Sequence, residues 1–352
     1  MKRQLGFKSR VSYIWLFMVG VFIFVFMAVN SGNAWAKVYN IKFETVWNSE
    51  HPEYKAILKF TKMVEKATHG QVKFTMFPAA QLVPLKQGLS GLKNGVLDML
   101  AGCSVYYQGL VPEGAVDWMP FVAAGHRSQF WKFINSGKMH DIIYNAYLKK
   151  ANAVWLTDVL CGSEGIIGRD HKVFRRISQL KGIKLRAAGG LSTRTAEALG
   201  ASPVTIDTGE LYPALQRGTI DAAIFPEYGL KDYQLYEVAK TYTKPGLYIW
   251  CDDLWINKNT WNSLPKNLRD TIQKVAHKWA YWASTVYWPK YEEEINKWVK
   301  EKGVIVVHLP KSEIRKAMKL VQPVWNWYAS TNENTKEEVK LLRAEVKRWK
   351  KK

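Results

Sequence analysis

The side chains able to do covalent or metal chemistry are few and scattered in this 352-residue chain. Its seven histidines never fall at His-x-x-x-His or His-Glu-x-x-His spacing, which would set two ring nitrogens on one helical face for a metal. Cys103, Cys161 and Cys251 contain no Cys-x-x-Cys pair. An odd number allows one disulfide and one free thiol in an oxidising compartment, but three small buried residues is the favoured reading. No Gly-x-Ser-x-Gly turn presents a nucleophile and no Gly-rich loop cradles phosphate. No metal and no cofactor are expected. Among the acids, Glu164, Glu227 and Asp253 are the set that an acid/base enzyme would use. Such catalysis needs one raised pKa and a fixed separation, which the sequence does not supply. A secreted hydrolase or lyase is therefore the alternative reading, not the leading one.

The elements that would position these side chains are more legible. Tyr39 to Trp47 reads as a strand, followed by a helix opened by Pro52 and Glu53 and closed by Gly70. Gln71 to Phe77 alternates as a strand, Gln87 to Asn94 is a short helix stopped by Gly95, and Val96 to Ala101 is a buried strand. The same order returns with strand 182–188, helix 193–199, strand 203–206, helix 210–217 and strand 219–225. Local signatures recur with it. Ile41-Lys42-Phe43 echoes Ile183-Lys184-Leu185, and Leu92 to Asp98 echoes Leu215 to Asp221 as L-x-x-G-x-x-D. Two similar α/β lobes with mostly parallel sheets follow.

Ligands of parallel α/β sheets lie beyond the carboxyl ends of the strands. The residues there are Trp47 with His51 and Tyr106-Tyr107 in the first lobe, and Arg186 and Pro226-Glu227-Tyr228 in the second. Farther on, 247–257 reads as a returning strand. Ser263 and Pro265 open a long helix whose Leu268, Ile272, Val275, Trp279, Trp282 and Val286 form a core-facing stripe. Pro289 is expected to kink it before Ile295, Trp298 and Val299 carry the stripe to Gly303. A helix of this length can lie across both lobes. Strand 304–308 and helix 312–328 follow.

Composition sets the class. Apolar residues make up 47% and charged residues 23%, as in a globular protein, and the formal charge is +21. Lys2, Arg3, Lys8 and Arg10 precede an apolar run from Tyr13 to Val29, and Ala34-Trp35-Ala36 suits a signal peptidase. Residues 1–36 read as a secretory signal whose removal leaves +17; an uncleaved anchor is the alternative. An extracytoplasmic location argues against nucleic acid as a partner, and no nucleic-acid motif is present. The basic run from Lys347 to Lys352 reads as a solvated helix end. The expected division is signal 1–36; lobe I, 37–160 with 247–288; lobe II, 161–246 with 289–330; and a basic C-terminal helix, 331–352.

Five segments, taken in order, resemble one family. Phe77-Pro78-Ala79-Ala80-Gln81-Leu82 is similar to F-P-A-x-Q-L. Lys181 to Gly190 is similar to K-G-x-K-x-R-x-x-G-G, and Leu199 to Val204 to L-G-A-x-P-V. Gly209 to Asp221 is similar to G-E-[LV]-Y-x-A-L-Q-x-G-x-[IV]-D, and Asn257-Lys258 with Trp261 and Leu264-Pro265 to N-K-x-x-W-x-x-L-P. These mark the extracytoplasmic solute receptors of tripartite ATP-independent periplasmic (TRAP) transporters, dicarboxylate-receptor type. The resemblance implies a periplasmic-binding-protein fold with hinge strands and a lobe-spanning helix. It also implies a small organic acid as ligand, a membrane permease as partner, and a monomer or homodimer. It gives Arg186 the role of ligand-carboxylate anchor, and a planar guanidinium matches a carboxylate with two parallel hydrogen bonds. Two departures bear on the ligand. Ile224 and Phe225 replace polar residues of many relatives, and Glu164 stands where others carry Gln or Arg. An acid there would repel a second ligand carboxylate, so a monocarboxylate or 2-oxo acid is favoured. Phe225, Trp250 and Tyr106 are expected to line the pocket, with Trp47, Glu227 and Asp253 as further candidates.

Overall fold

The computed structural model describes residues 37–122, 126–170 and 172–349. The expected signal, 1–36, lies outside them. The strands, in chain order, are β1 (Tyr39–Thr45), β2 (Val72–Phe77), β3 (Met99–Gly102), β4 (Ala153–Arg169), β5 (Lys184–Ala187), β6 (Ser202–Thr205), β7 (Ala222–Pro226), β8 (Ala239–Asn257) and β9 (Ile305–His308). They join in the order β2-β1-β3-β8-β4-β7-β5-β6, with β9 on β8. The triplets β2-β1-β3 and β6-β5-β7 are the same arrangement made twice. Helices Pro52–Ala67 and Gly88–Lys93 connect the first triplet, Gly190–Ala198 and Leu211–Arg217 the second.

The recurring sequence signatures have one structural cause. Gly95 and Gly218 hold φ of 75° and 72°, a left-handed turn that ends each helix without a Cβ clash. Three residues later the Asp carboxylate caps the neighbouring strand. Asp98 Oδ2 accepts from the Lys42 amide at 2.9 Å, and Asp221 Oδ2 from the Lys184 amide at 3.0 Å. The backbone amides of Asp98 and Asp221 in turn donate to the carbonyls of Lys42 and Lys184. The Ile-Lys echo and the Asp echo are thus two ends of one contact, made once in each half.

Between the triplets run β4, of 17 residues, and β8, of 19 residues, antiparallel to each other. β3 is antiparallel to β8, and β7 to β4. β1 pairs with β3, and β5 with β6 and β7, in parallel, so the sheet is parallel there and antiparallel at its centre. Two of the expected lobe boundaries, at 160 and 246, fall inside these long strands. β8 begins eight residues earlier than its apolar pattern indicated. Pro245 supplies no ladder N–H, and the register jumps there, from Glu164 opposite Tyr248 to Ile166 opposite Thr243. β4 was not legible as a strand because Asp158, Gly162, Glu164 and Gly165 look like a polar loop. Gly165 is required by close approach, since a Cβ there would lie 2.4 Å from the Thr243 carbonyl oxygen.

The long helix forms in two parts, Lys266–Trp282 and Trp288–Glu301, joined by a π turn over Ala283–Tyr287. Pro289 cannot donate an N–H to the preceding turn, and the widened turn absorbs this. The extra residue rotates the buried face. Val286, expected in the stripe, is 54% exposed, and Ser284 and Trp288 turn inward instead. Ser284 Oγ then accepts from the Leu160 amide of β4 at 2.9 Å. The single helix expected over 312–328 is two, Lys311–Leu320 and Gln322–Ala329, with Pro323 in the first turn of the second. The C-terminal helix spans Glu333–Trp349. Its end is not simply a solvated tip. Trp349 is buried among His126, Phe130 and Phe133, while Lys347 and Arg348 stay exposed.

The paired caps are testable. Burial pushes the Asp221 carboxyl up, but the Lys184 amide and Lys172 outweigh this and hold it below the usual range. Its stabilisation is present at neutral pH and is lost as pH falls through that depressed value. Asp98→Ala and Asp221→Ala should each lower the unfolding free energy by about 1–2 kcal/mol in urea at neutral pH. The Asp221→Ala deficit should shrink in acid; a pH-independent deficit would contradict the assignment.

Candidate functional site

Arg186 stands near the end of β5, where the strand's carboxyl edge meets the space between the two triplets, and it is 2% exposed. Its Nε donates to the Ile206 carbonyl at 3.0 Å and its Nη1 to the Ile224 carbonyl at 3.3 Å. The guanidinium carbon lies 5.5 Å from the centre of the Phe225 ring. Among the described residues no carboxylate comes within 4.0 Å of it. A buried cation with only carbonyl partners is costly unless an anion joins it.

Glu164 of β4 is an acid that feels the Arg186 charge; it is 4% exposed, and its Oε2 has no hydrogen-bond partner among the described residues. Burial pushes its carboxyl up to about 8, with the Arg186 charge and the Tyr248 hydroxyl pulling the other way. At neutral pH it is mainly a neutral carboxylic acid, able to donate a proton in a hydrogen bond. Tyr106 and Tyr233 also feel the Arg186 charge, and burial raises both phenols above their usual range. Phe225 packs against Tyr233 (5.4 Å) and Tyr228 (5.9 Å). Arg186, Glu164, Phe225 and Tyr106, singled out in the sequence, thus come together.

Trp47 and Trp250 form the adjoining wall rather than the polar centre. Their rings lie 5.0 Å apart, Trp47 stacks on His51 at 4.4 Å, and Trp250 packs on Trp288 at 5.1 Å. His51 caps the helix that starts at Pro52, its Nδ1 accepting from the Glu53 amide at 3.1 Å. That fixes the Nε2–H tautomer, and Nε2 lies 3.3 Å from the Tyr228 hydroxyl. Trp47 Nε1 donates to Asp252 Oδ1 at 3.0 Å.

Glu227 and Asp253 do not join Arg186. Glu227 pairs with Lys244 at 2.7 Å beside a separate cavity of about 460 Å³ lined also by Tyr242, Asn296 and His308. Asp253 lies one residue beyond Asp252, so the strand pleat sends it to the opposite face. There it accepts from Trp155 Nε1 at 2.7 Å and from the Ser104 amide at 3.2 Å. Tyr107 is core, donating to the Leu85 carbonyl. The three cysteines are free and buried.

Sequence reasoning missed Tyr233, Tyr248, Ser192 and Gln108. Tyr248 was within reach, since it stands two residues before Trp250 and shares its face. Its hydroxyl bonds Ser192. Gln108, which ends the helical turn Ser104–Tyr107 that follows β3, accepts from the Leu191 amide at 3.2 Å, and Lys86 pairs with Asp207 at 3.2 Å. With the His51–Tyr228 contact these bridge the first half to the second, so the cleft is closed around Arg186.

Residues 43–332 match the family described as bacterial extracellular solute-binding protein, family 7. The chain belongs to this family. Among its relatives are the C4-dicarboxylate-binding periplasmic protein of Rhodobacter capsulatus, 25% identical over 79% of this chain and 82% of the relative. The monocarboxylate 2-oxoacid-binding periplasmic protein of a Nostoc species is 28% identical over 69% of this chain and 67% of the relative. The solved TRAP periplasmic solute-binding protein of Pseudomonas putida F1, with bound D-glucuronate, superposes with a TM-score of 0.75 at 26% identity, covering 86% and 97% of the two chains. A TRAP receptor of Desulfovibrio salexigens with bound orotic acid shares the fold, with a TM-score of 0.80 at 22% identity over 88% and 99%. The protein is accordingly a solute-binding receptor of the TRAP type and not an enzyme, and the acid/base reading of Glu164, Glu227 and Asp253 is set aside. No helix among the described residues is long and apolar enough to cross a membrane.

Burial pulls the His51 ring down to about 3, with Lys55 adding to the effect. Its folded pKa lies below the unfolded one, so His51 opposes folding increasingly as pH falls below about 6.5. In nitrogen-detected NMR, His51 should remain the neutral Nε2–H tautomer down to pH 5. Titration near pH 6 would contradict the buried cap.

Proposed function

We propose that the receptor captures a small organic monocarboxylate, with 2-oxo acids the favoured class, between lobes hinged at β4 and β8, and delivers it to the membrane permease of a TRAP transporter. The site acts in the periplasm after removal of residues 1–36. The observation that carries this reading is the charge inventory. Arg186 is the cation whose field acts on Glu164, Tyr106, Tyr233 and Tyr248, and it is buried there without a carboxylate partner among the described residues. One buried guanidinium satisfies one carboxylate; a second carboxylate would be left without a counter-charge.

The remaining groups suit the rest of a 2-oxo acid. Neutral Glu164 donates to the oxo oxygen, while Phe225 and Tyr233 offer apolar contact to a short side chain. No bond is made or broken. The ligand favours the closed cleft because both halves contact it there and only one does when open. The Nostoc relative, described as binding 2-oxo monocarboxylates, supports this class.

Calorimetric titration with 2-oxo, 2-hydroxy and dicarboxylic acids should give one site per chain, tightest for a monocarboxylate. Arg186→Ala and Arg186→Lys should each weaken it about 100-fold or more, since a guanidinium–carboxylate pair in a dry site is worth several kcal/mol. If both variants bind like the parent, Arg186 is not the anchor.

Glu164 sets the pH response. Above about pH 8 it ionises beside the bound carboxylate, so affinity should fall. Glu164→Gln should keep neutral-pH affinity within several-fold and abolish the alkaline fall. Affinity that rises above pH 8 would mean that Glu164 meets a cationic group on the ligand instead.

A further inference from the structure

The opposite face of the hinge strands carries a second group of buried acids, on the side to which the pleat sends Asp253. Asp117 comes from the segment Pro112–Trp118, Asp158 from β4 and Cys251 from β8. All three are buried, and one ligand atom from each lies within 4.8 Å of the others. Asp253 stands directly across the strands from Asp158. Among the described residues these acids have no counter-charge within ion-pair distance. None of the ion pairs among the described residues involves Asp117, Asp158 or Asp253.

Hydrogen bonds satisfy only part of the group. Ser104 Oγ donates to both oxygens of Asp117, at 2.9 and 3.1 Å, and Asn135 Nδ2 donates to Asp158 Oδ1. Asp158 Oδ2 is fully buried and has no partner at all. A buried carboxylate oxygen with no donor is rare and costly. A cation bound to the Asp158 carboxylate would supply the partner that this atom lacks, with the polar neighbours orienting the rest of the group.

The donor set narrows the ion. Oxygen-only sites suit magnesium or calcium, whereas a thiolate beside two carboxylates selects the zinc class. Bonds of about 2.0–2.3 Å would hold the three donors roughly 3.3–3.8 Å apart, inside the 4.8 Å limit within which they already lie. We propose that Asp117, Asp158 and Cys251 form a zinc-class divalent cation site behind the hinge, separate from the Arg186 cleft. The ion would tie the Pro112–Trp118 segment to both long strands and stiffen the base of the hinge.

The test uses the purified protein, stripped with a chelator, and zinc alone as probe. Calorimetry should give one zinc per chain, and zinc should raise the melting temperature by several degrees. Cys251→Ala and Asp158→Asn should each weaken binding tenfold or more, while Cys103→Ala, which changes a buried thiol outside the trio, should leave it unchanged. Cobalt(II) in the unmutated protein should show a thiolate charge-transfer band in the near ultraviolet, a readout independent of whether the variants fold. No zinc binding, binding unchanged in both variants, or a cobalt spectrum without the thiolate band would each overturn the site.

Discussion

A guanidinium buried against two carbonyl groups, with no carboxylate partner among the described residues, is the interaction on which the arrangement turns. The Ile206 and Ile224 carbonyls orient Arg186 but cannot neutralise it. They hold the planar donor set in one pose, so little rotamer freedom remains to be lost when a carboxylate arrives. The Phe225 ring below the cation excludes water, which strengthens any ion pair formed there. Glu164 completes the balance. As a mainly neutral acid it avoids cancelling the Arg186 charge, and its free oxygen stays available for a polar atom of the ligand.

The scaffold makes that pose possible by repetition. Two triplets with the same strand order each end a helix at a left-handed glycine and cap the next strand with an aspartate. Between them, β4 and β8 cross from one half to the other and carry different chemistry on their two faces. One face holds Glu164, Tyr248, Trp250 and Asp252, the last locked to Trp47. The other holds Asp158, Cys251 and Asp253. The aromatic wall of Trp47, His51, Tyr228, Trp250 and Trp288 joins the first half to the second and to the long helix. Bending of the hinge must therefore be shared between these two faces.

Much of this was legible in the residues. The L-x-x-G-x-x-D echo exposed the duplicated half, the rule that ligands sit past strand ends pointed to Arg186 and Tyr106, and the departures from the family pattern pointed to Phe225. The illegible parts have physical causes. β4 is buried on both faces and interrupted by glycines and acids, so neither alternation nor an apolar run marks it. The start of β8 is hidden by Pro245, and the π turn before Pro289 rotated Val286 outward. Glu227 and Asp253 carried the right chemistry at promising positions, but Lys244 engages one and the strand pleat turns the other away. Tyr233, Gln108 and Ser192 reach the site from segments whose sequence offers no periodicity at those positions.

The most direct test is a crystal structure of the protein with a bound 2-oxo monocarboxylate. The account predicts the carboxylate oxygens within hydrogen-bond distance of the Arg186 guanidinium, Glu164 on the oxo oxygen, and the closed arrangement of Gln108 and Leu191. A ligand seated elsewhere, with Arg186 contacting only the Ile206 and Ile224 carbonyls, would contradict it.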